Sequence, residues 1–158
     1  MTRFSARTEA RAVVEAERAD IWAALTDPAL VARMTPFVTR ISDRGEHWFW
    51  EMSKLQVAGV GVAPAFTEQM TFTDMERIEF HHDPPSGEKE RAGAYGWYDL
   101  GDHDDGTVLA TRLEIAVDLP LPRAAAPAVR TAMRGVMGTM GDRFSHNLLD
   151  HLGASRRS

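Results

Sequence analysis

Between residues 37 and 118 the chain carries one alternating apolar–polar segment after another, separated by turns and with no helical period between them. Parallel strands need a long crossover, usually a helix, so a run of this kind pairs antiparallel, as a meander. The pattern predicts a strand over 37–43, a turn at Arg44-Gly45 and a second strand over 46–55. In the latter Trp48, Trp50 and Met52 share one face, with His47, Phe49 and Glu51 on the other. Residues 57–64 form a glycine-punctuated hairpin connection. The strand over 66–74 sets Phe66, Glu68, Met70 and Phe72 against a threonine-rich face. Residues 77–82 follow, then a polar loop from Asp83, then a hairpin of 94–100 and 107–118 around 101–106.

The two ends close the architecture. Residues 8–17 read as an opening strand with Ala10, Ala12, Val14 and Ala16 on one side. Ile21, Trp22 and Leu25 then fall at helical spacing. Thr26-Asp27-Pro28 stops that helix and starts another through Leu30, Val31 and Met34. After Leu119-Pro120-Leu121-Pro122 a long helix is predicted over about 123–152, roughly 45 Å at about 1.5 Å per residue. Pro127 is compatible with it only near the first turn, and otherwise kinks it. Val129, Met133, Val136, Met137, Met140 and Phe144 make its apolar stripe, with Gly135, Gly138 and Gly141 opposite. Exposed Leu149 and Leu152 beside those glycines would favour a homodimer. The expected fold is α+β: one domain over 1–158, a curved antiparallel sheet with two short helices, wrapped around the long C-terminal helix.

Charge and composition exclude several functions. The net charge of −5 argues against nucleic-acid binding. Arg156-Arg157, the basic cluster, reads as a loose solvated tail. With no cysteine there is no disulfide, thiolate metal site or cysteine nucleophile. Nothing resembles a signal peptide or a bilayer-spanning run, so the expectation is a cytoplasmic protein without membrane insertion. Gly59-Val60-Gly61 lacks the third glycine and following helix of a dinucleotide fingerprint. Asp102-His103-Asp104-Asp105-Gly106 lacks the spacing of a calcium loop. His81 and His82 point to opposite faces of a strand, and His146 and His151 miss same-face helical spacing. No metal and no cofactor are expected.

Four local features resemble the START-like or Bet v 1-like (SRPBCC) superfamily, in particular its bacterial polyketide cyclase/dehydrase-like branch. They are residues 19–28, Ala-Asp-Ile-Trp-Ala-Ala-Leu-Thr-Asp-Pro; the glycine connection near Val57 to Val62; the turn Asp105-Gly106-Thr107; and Asp118-Leu119-Pro120-Leu121-Pro122 before the long helix. The resemblance implies a helix-grip fold with a cavity between sheet and helix. It does not imply a reaction, because the superfamily includes lipid carriers, hormone receptors, cyclases and co-chaperones.

In that geometry the more apolar face of each strand turns inward. The predicted ligand-binding set is Trp48, Trp50, Phe66, Glu68, Met70, Phe80, His82, Tyr95, Trp97, Met133, Met137 and Met140, an apolar and aromatic lining with few polar groups. Glu68, His82 and Asp99 fall on the inward face by alternation. A carboxyl out of water has its neutral form favoured, and a nearby histidine can counter this by pairing with it. Glu68, His82 and Tyr95 are therefore the candidate catalytic residues, as acid or base on an enolisable ligand. The alternative at each is structural: a hydrogen bond or wet pocket mouth for Glu68, a strand end for His82. Three functions follow: a non-catalytic binder or carrier of a small hydrophobic molecule, a cyclase/dehydratase-type enzyme, or an interaction module with a vestigial cavity.

Overall fold

The computed structural model describes residues 1–154 together with the backbone of Arg156–Arg157. The chain runs β1 (Thr2–Val14), α1 (Arg18–Leu25), α2 (Pro28–Met34), β2 (Val38–Arg44), β3 (His47–Met52), β4 (Leu55–Val57), β5 (Val60–Val62), β6 (Ala65–Thr73), β7 (Arg77–His82), β8 (Ala92–His103), β9 (Gly106–Leu119), a 3-10 turn (Arg123–Ala125), α3 (Ala126–Leu152) and β10 (Arg156–Arg157). The main sheet is antiparallel in the order β10-β1-β9-β8-β7-β6-β3-β2. This is the α+β helix-grip architecture expected from the alternation.

Local chemistry accounts for the element ends. Asp27 caps α2 by accepting a hydrogen bond from the Leu30 amide at 3.2 Å, and Pro28 occupies the first turn, where its missing N–H costs nothing. Pro127 likewise falls in the first turn of α3, so the helix starts late enough to run unbroken. β4 and β5 form a small separate hairpin whose two turn residues, Ala58 and Gly59, both have positive φ (50° and 82°). That conformation matches the right-handed strand twist.

Several boundaries differ from expectation, among them the end of the strand expected over 46–55, which breaks after Met52. β1 begins at Thr2 rather than residue 8, because Phe4 and Ala6 continue the inward alternation and pair with Val117 and Ile115. The β8–β9 hairpin extends to a tight turn at Asp104-Asp105, so the polar stretch 101–103 is strand. The backbone of Arg156–Arg157, expected as a loose tail, pairs with Val14 and Val13.

The core is tied together by Ile21 of α1, Ile78 of β7, Leu119 at the end of β9 and Val129 of α3, all fully buried. α3 packs on β1 along one margin and meets β4, α1 and α2. Asn147 donates to the Met34 carbonyl at 2.9 Å, fixing α3 to the end of α2. Leu149 and Leu152, expected to be exposed, are half-buried against the core, whereas Gly135, Gly138 and Gly141 face open space. Among the described residues no helix is long and apolar enough to cross a membrane.

Arg18 anchors α1 to the β6–β7 turn and to β8. Its guanidinium donates to the carbonyls of Met75 and Leu100, each at 2.8 Å, and to Asp102 at 2.6 Å. Arg18→Ala leaves two carbonyls without their charged donor. It is expected to lower the urea-unfolding free energy by about 2 kcal/mol at unchanged m-value. Asp102→Ala, at a fully solvated partner, is expected to cost less than about 1 kcal/mol.

Candidate functional site

Paired residues in a ladder share a face, so the register identifies what looks toward α3. Trp50 pairs with Phe66 and Trp48 with Glu68; Met70 pairs with Phe80, and Phe80 with Gly96; Ile78 pairs with Tyr98, and Tyr98 with Thr111. The inner face therefore carries Trp48, Trp50, Phe66, Glu68, Met70, Ile78, Phe80, Tyr98 and the Leu109-to-Val117 set. Met133 and Met137 of α3 are buried against this core, and Met140 is half-buried. In the middle of the sheet Tyr98, Leu109, Thr111, Leu113 and Ile115 are half-buried rather than buried.

Tyr95 and Trp97, expected inside, lie on the outer face together with Asp99. Ala94, Gly96, Tyr98 and Leu100 take the inner positions of β8. The outer placement has its own chemistry. Arg77 lies over the Trp97 ring, 4.8 Å from its centroid, and reaches both oxygens of Asp99 at 2.7 and 2.8 Å. The signal for Tyr98 was its parity with Ala94 and Leu100, both buried.

His82 is the register partner of Glu68 but does not pair with it. Its Nε2 is 2.8 Å from Glu90 Oε1, and its ring sits edge-on to Tyr95, with centroids 6.3 Å apart. That position requires Gly93, since a methyl there would collide with the imidazole. Glu90 also accepts from the Thr67 amide and hydroxyl, each at 2.8 Å. Asp83, at the start of the same loop, binds His47 Nε2 at 2.8 Å. Both ends of the loop between β7 and β8 are thus fastened to the sheet by a histidine–carboxylate contact. Glu90 and Thr67 were not singled out in the sequence, because the contact joins a loop residue to two strands.

Glu68 is left without a partner. Its residue is 2% exposed, and no hydrogen bond or ion pair reaches its carboxyl among the described residues. Burial pushes its pKa well above the usual carboxylate range, which favours the neutral acid. Tyr98 is pushed up to about 12, by burial and then by the charge of Glu68, so its hydroxyl stays a donor. The buried indole N–H of Trp50 also lacks an acceptor, while its ring stacks on Phe66 at 5.9 Å. A buried polar group without a partner costs stability. The inner face therefore offers three groups able to donate a hydrogen bond: protonated Glu68, Tyr98 and Trp50. Among the described residues no three histidines or carboxylates are grouped to hold a metal ion.

No family model and no curated protein matches the chain. Solved structures do. The di-domain ARO/CYC StfQ from the steffimycin biosynthetic pathway is similar at 16% identity and a TM-score of 0.67, over 95% of this chain and 51% of that one. The chain thus spans about half the length of StfQ. The Zhui aromatase/cyclase from Streptomyces sp. R1128 is similar at 13% identity and a TM-score of 0.67, over 94% of both chains. A START superfamily protein from Mycobacterium smegmatis is similar at 12% identity and a TM-score of 0.62, over 96% of this chain and 97% of that one. These likenesses establish the fold as START-like, the arrangement also used by aromatase/cyclases.

The buried carboxyl has a measurable signature. Because its folded-state pKa is raised, the unfolded chain releases this proton first as the pH climbs. Stability contributed by the neutral acid is complete below the unfolded value and is lost as the pH rises toward the folded one. Glu68→Gln is expected to be more stable than the parent at neutral pH. The gap should close as the pH falls below the ordinary glutamate range, followed by thermal unfolding across pH.

Proposed function

We propose that the chain binds a small, mainly apolar molecule between the sheet and α3, holding one of its carbonyl or phenolic oxygens by the Glu68 carboxyl. The observation that carries this reading is the unpartnered Glu68 side chain, 2% exposed on an aromatic inner face. A protonated carboxyl in such surroundings donates a hydrogen bond to an oxygen acceptor, with Tyr98 and the Trp50 indole as further donors. The half-buried centre of β8 and β9 supports the same reading, since side chains there keep surface for a ligand to cover. Met133, Met137 and Met140 supply a polarizable, adaptable wall.

A second reading has one specific support. A carboxyl with a raised pKa beside a tyrosine hydroxyl is able to pass a proton to and from an enolisable carbonyl, which is the acid–base task of a cyclase or dehydratase. In that reading Glu68 and Tyr98 act together. His82 is bound to Glu90 and Tyr95 lies on the outer face, so neither takes part.

One pair of variants separates the readings. Aromatic ketones and phenols are expected to raise the melting temperature of the parent. Glu68→Gln, which keeps a donor of similar shape, should bind them nearly as well, while Glu68→Leu should bind about tenfold or more weakly. If a bound ketone is also turned over, Glu68→Gln should abolish turnover without abolishing binding. Equal affinity of the parent and Glu68→Leu would remove Glu68 as the anchor.

A further inference from the structure

A cavity opens on the inner face of the sheet, at the end under α1. It has a volume of about 300 Å³ and is lined by Trp22 and Thr26 of α1, Asp43 and Gly45 at the β2–β3 turn, Trp48, Phe72 and Asp74. Its walls are aromatic. Phe72 sits between the two indoles, with its centroid 6.2 Å from each; it is edge-on to Trp22 at 80° and tilted 51° from Trp48. Trp48 is buried, whereas Phe72 keeps 43% of its surface exposed, a large fraction for a phenylalanine with two aromatic neighbours.

The charged groups at the rim, Asp43 and Asp74, carry one sign. Asp43 Oδ1 accepts from the Gly45 amide at 3.0 Å, and Asp74 has no hydrogen bond or ion pair among the described residues. No lysine, arginine or histidine lines the cavity. Arg18, before Trp22 on α1, is occupied by Met75, Leu100 and Asp102. Arg44 lies over Phe49, 4.3 Å from its centroid. Three aromatic rings, with Phe72 out of the plane of each indole, and carboxylates at the mouth suit a soft, weakly hydrated cation, attracted by the negative ring charge and by the charge at the rim. A metal ion would find too few oxygen ligands here.

We propose that this cavity binds a methylated ammonium group of a small free cation, with Trp22, Trp48 and Phe72 as the cage and Asp43 and Asp74 as the counter-charge. The site is separate in chemistry from the Glu68 face, where the free groups are hydrogen-bond donors. A phosphocholine headgroup shares the trimethylammonium but brings an anion toward two carboxylates, which disfavours it.

The test titrates the intact protein with choline, with its uncharged isostere 3,3-dimethylbutan-1-ol and with phosphocholine, by calorimetry and by the indole N–H resonances. Choline is expected to shift the Trp22 and Trp48 signals saturably and to bind about tenfold or more tightly than the isostere. Trp22→Leu, which keeps apolar bulk, and Asp74→Asn, at an exposed position, should each weaken choline several-fold. The asparagine variant should keep the parent's melting temperature, so the result stands even if the leucine variant folds poorly. Four results would overturn the proposal: equal binding of choline and the isostere, no saturable shift at millimolar choline, undiminished affinity in Asp74→Asn, or tighter binding of phosphocholine.

Discussion

A long helix laid over a curved sheet is held where the two surfaces meet. Here α3 packs along β1 near one margin and meets β4 of the separate hairpin, with Val129, Met133 and Met137 buried on its inner stripe. Phe4, Ala6 and Ile78 are buried on the inner face, while Leu109, Thr111, Leu113 and Ile115 of β9 are half-buried. Side chains as large as Trp50 and Tyr98 stand on that face, and among the described residues neither polar tip has a hydrogen-bond partner.

Much of this was legible in the alternation, because most strands contrast strongly between faces. Trp48 and Trp50, Phe66 to Met70, Ile78 and Phe80, and the Leu109-to-Val117 set all face as their pattern requires. β8 was not legible. Both of its faces carry aromatics, and the inner one also carries Ala94 and Gly96, so counting apolar bulk selects Tyr95 and Trp97. The contest is decided across strands, by Arg77 stacking on Trp97 and binding Asp99 on the outer face. His82 escaped for a related reason. By register it shares the Glu68 face, but at the strand end its ring lies over Gly93, edge-on to Tyr95 and bound by Glu90, away from Glu68.

The two acidic features of the inner face use opposite physics. Glu68 lies among apolar rings, where desolvation makes it an acid that holds its proton. Asp43 and Asp74, a short distance along the same face, stand in water at the sheet's end. A single face thus presents a neutral donor inside and negative charge at its rim. Local burial sets this difference, and residue type alone does not reveal it.

The three glycines on the outer side of α3 bear on the order in which the molecule assembles. Each removes about 1 kcal/mol of intrinsic helix stability relative to alanine, and the segment also carries Thr131, Thr139 and Ser145. An isolated α3 would therefore nucleate poorly despite its length. Its helicity depends on a surface to lie against, and that surface exists only once β1 has closed onto β9, a pairing that joins the two ends of the sheet-forming sequence. Helical structure in α3 is therefore expected to depend on that long-range pairing rather than to precede it.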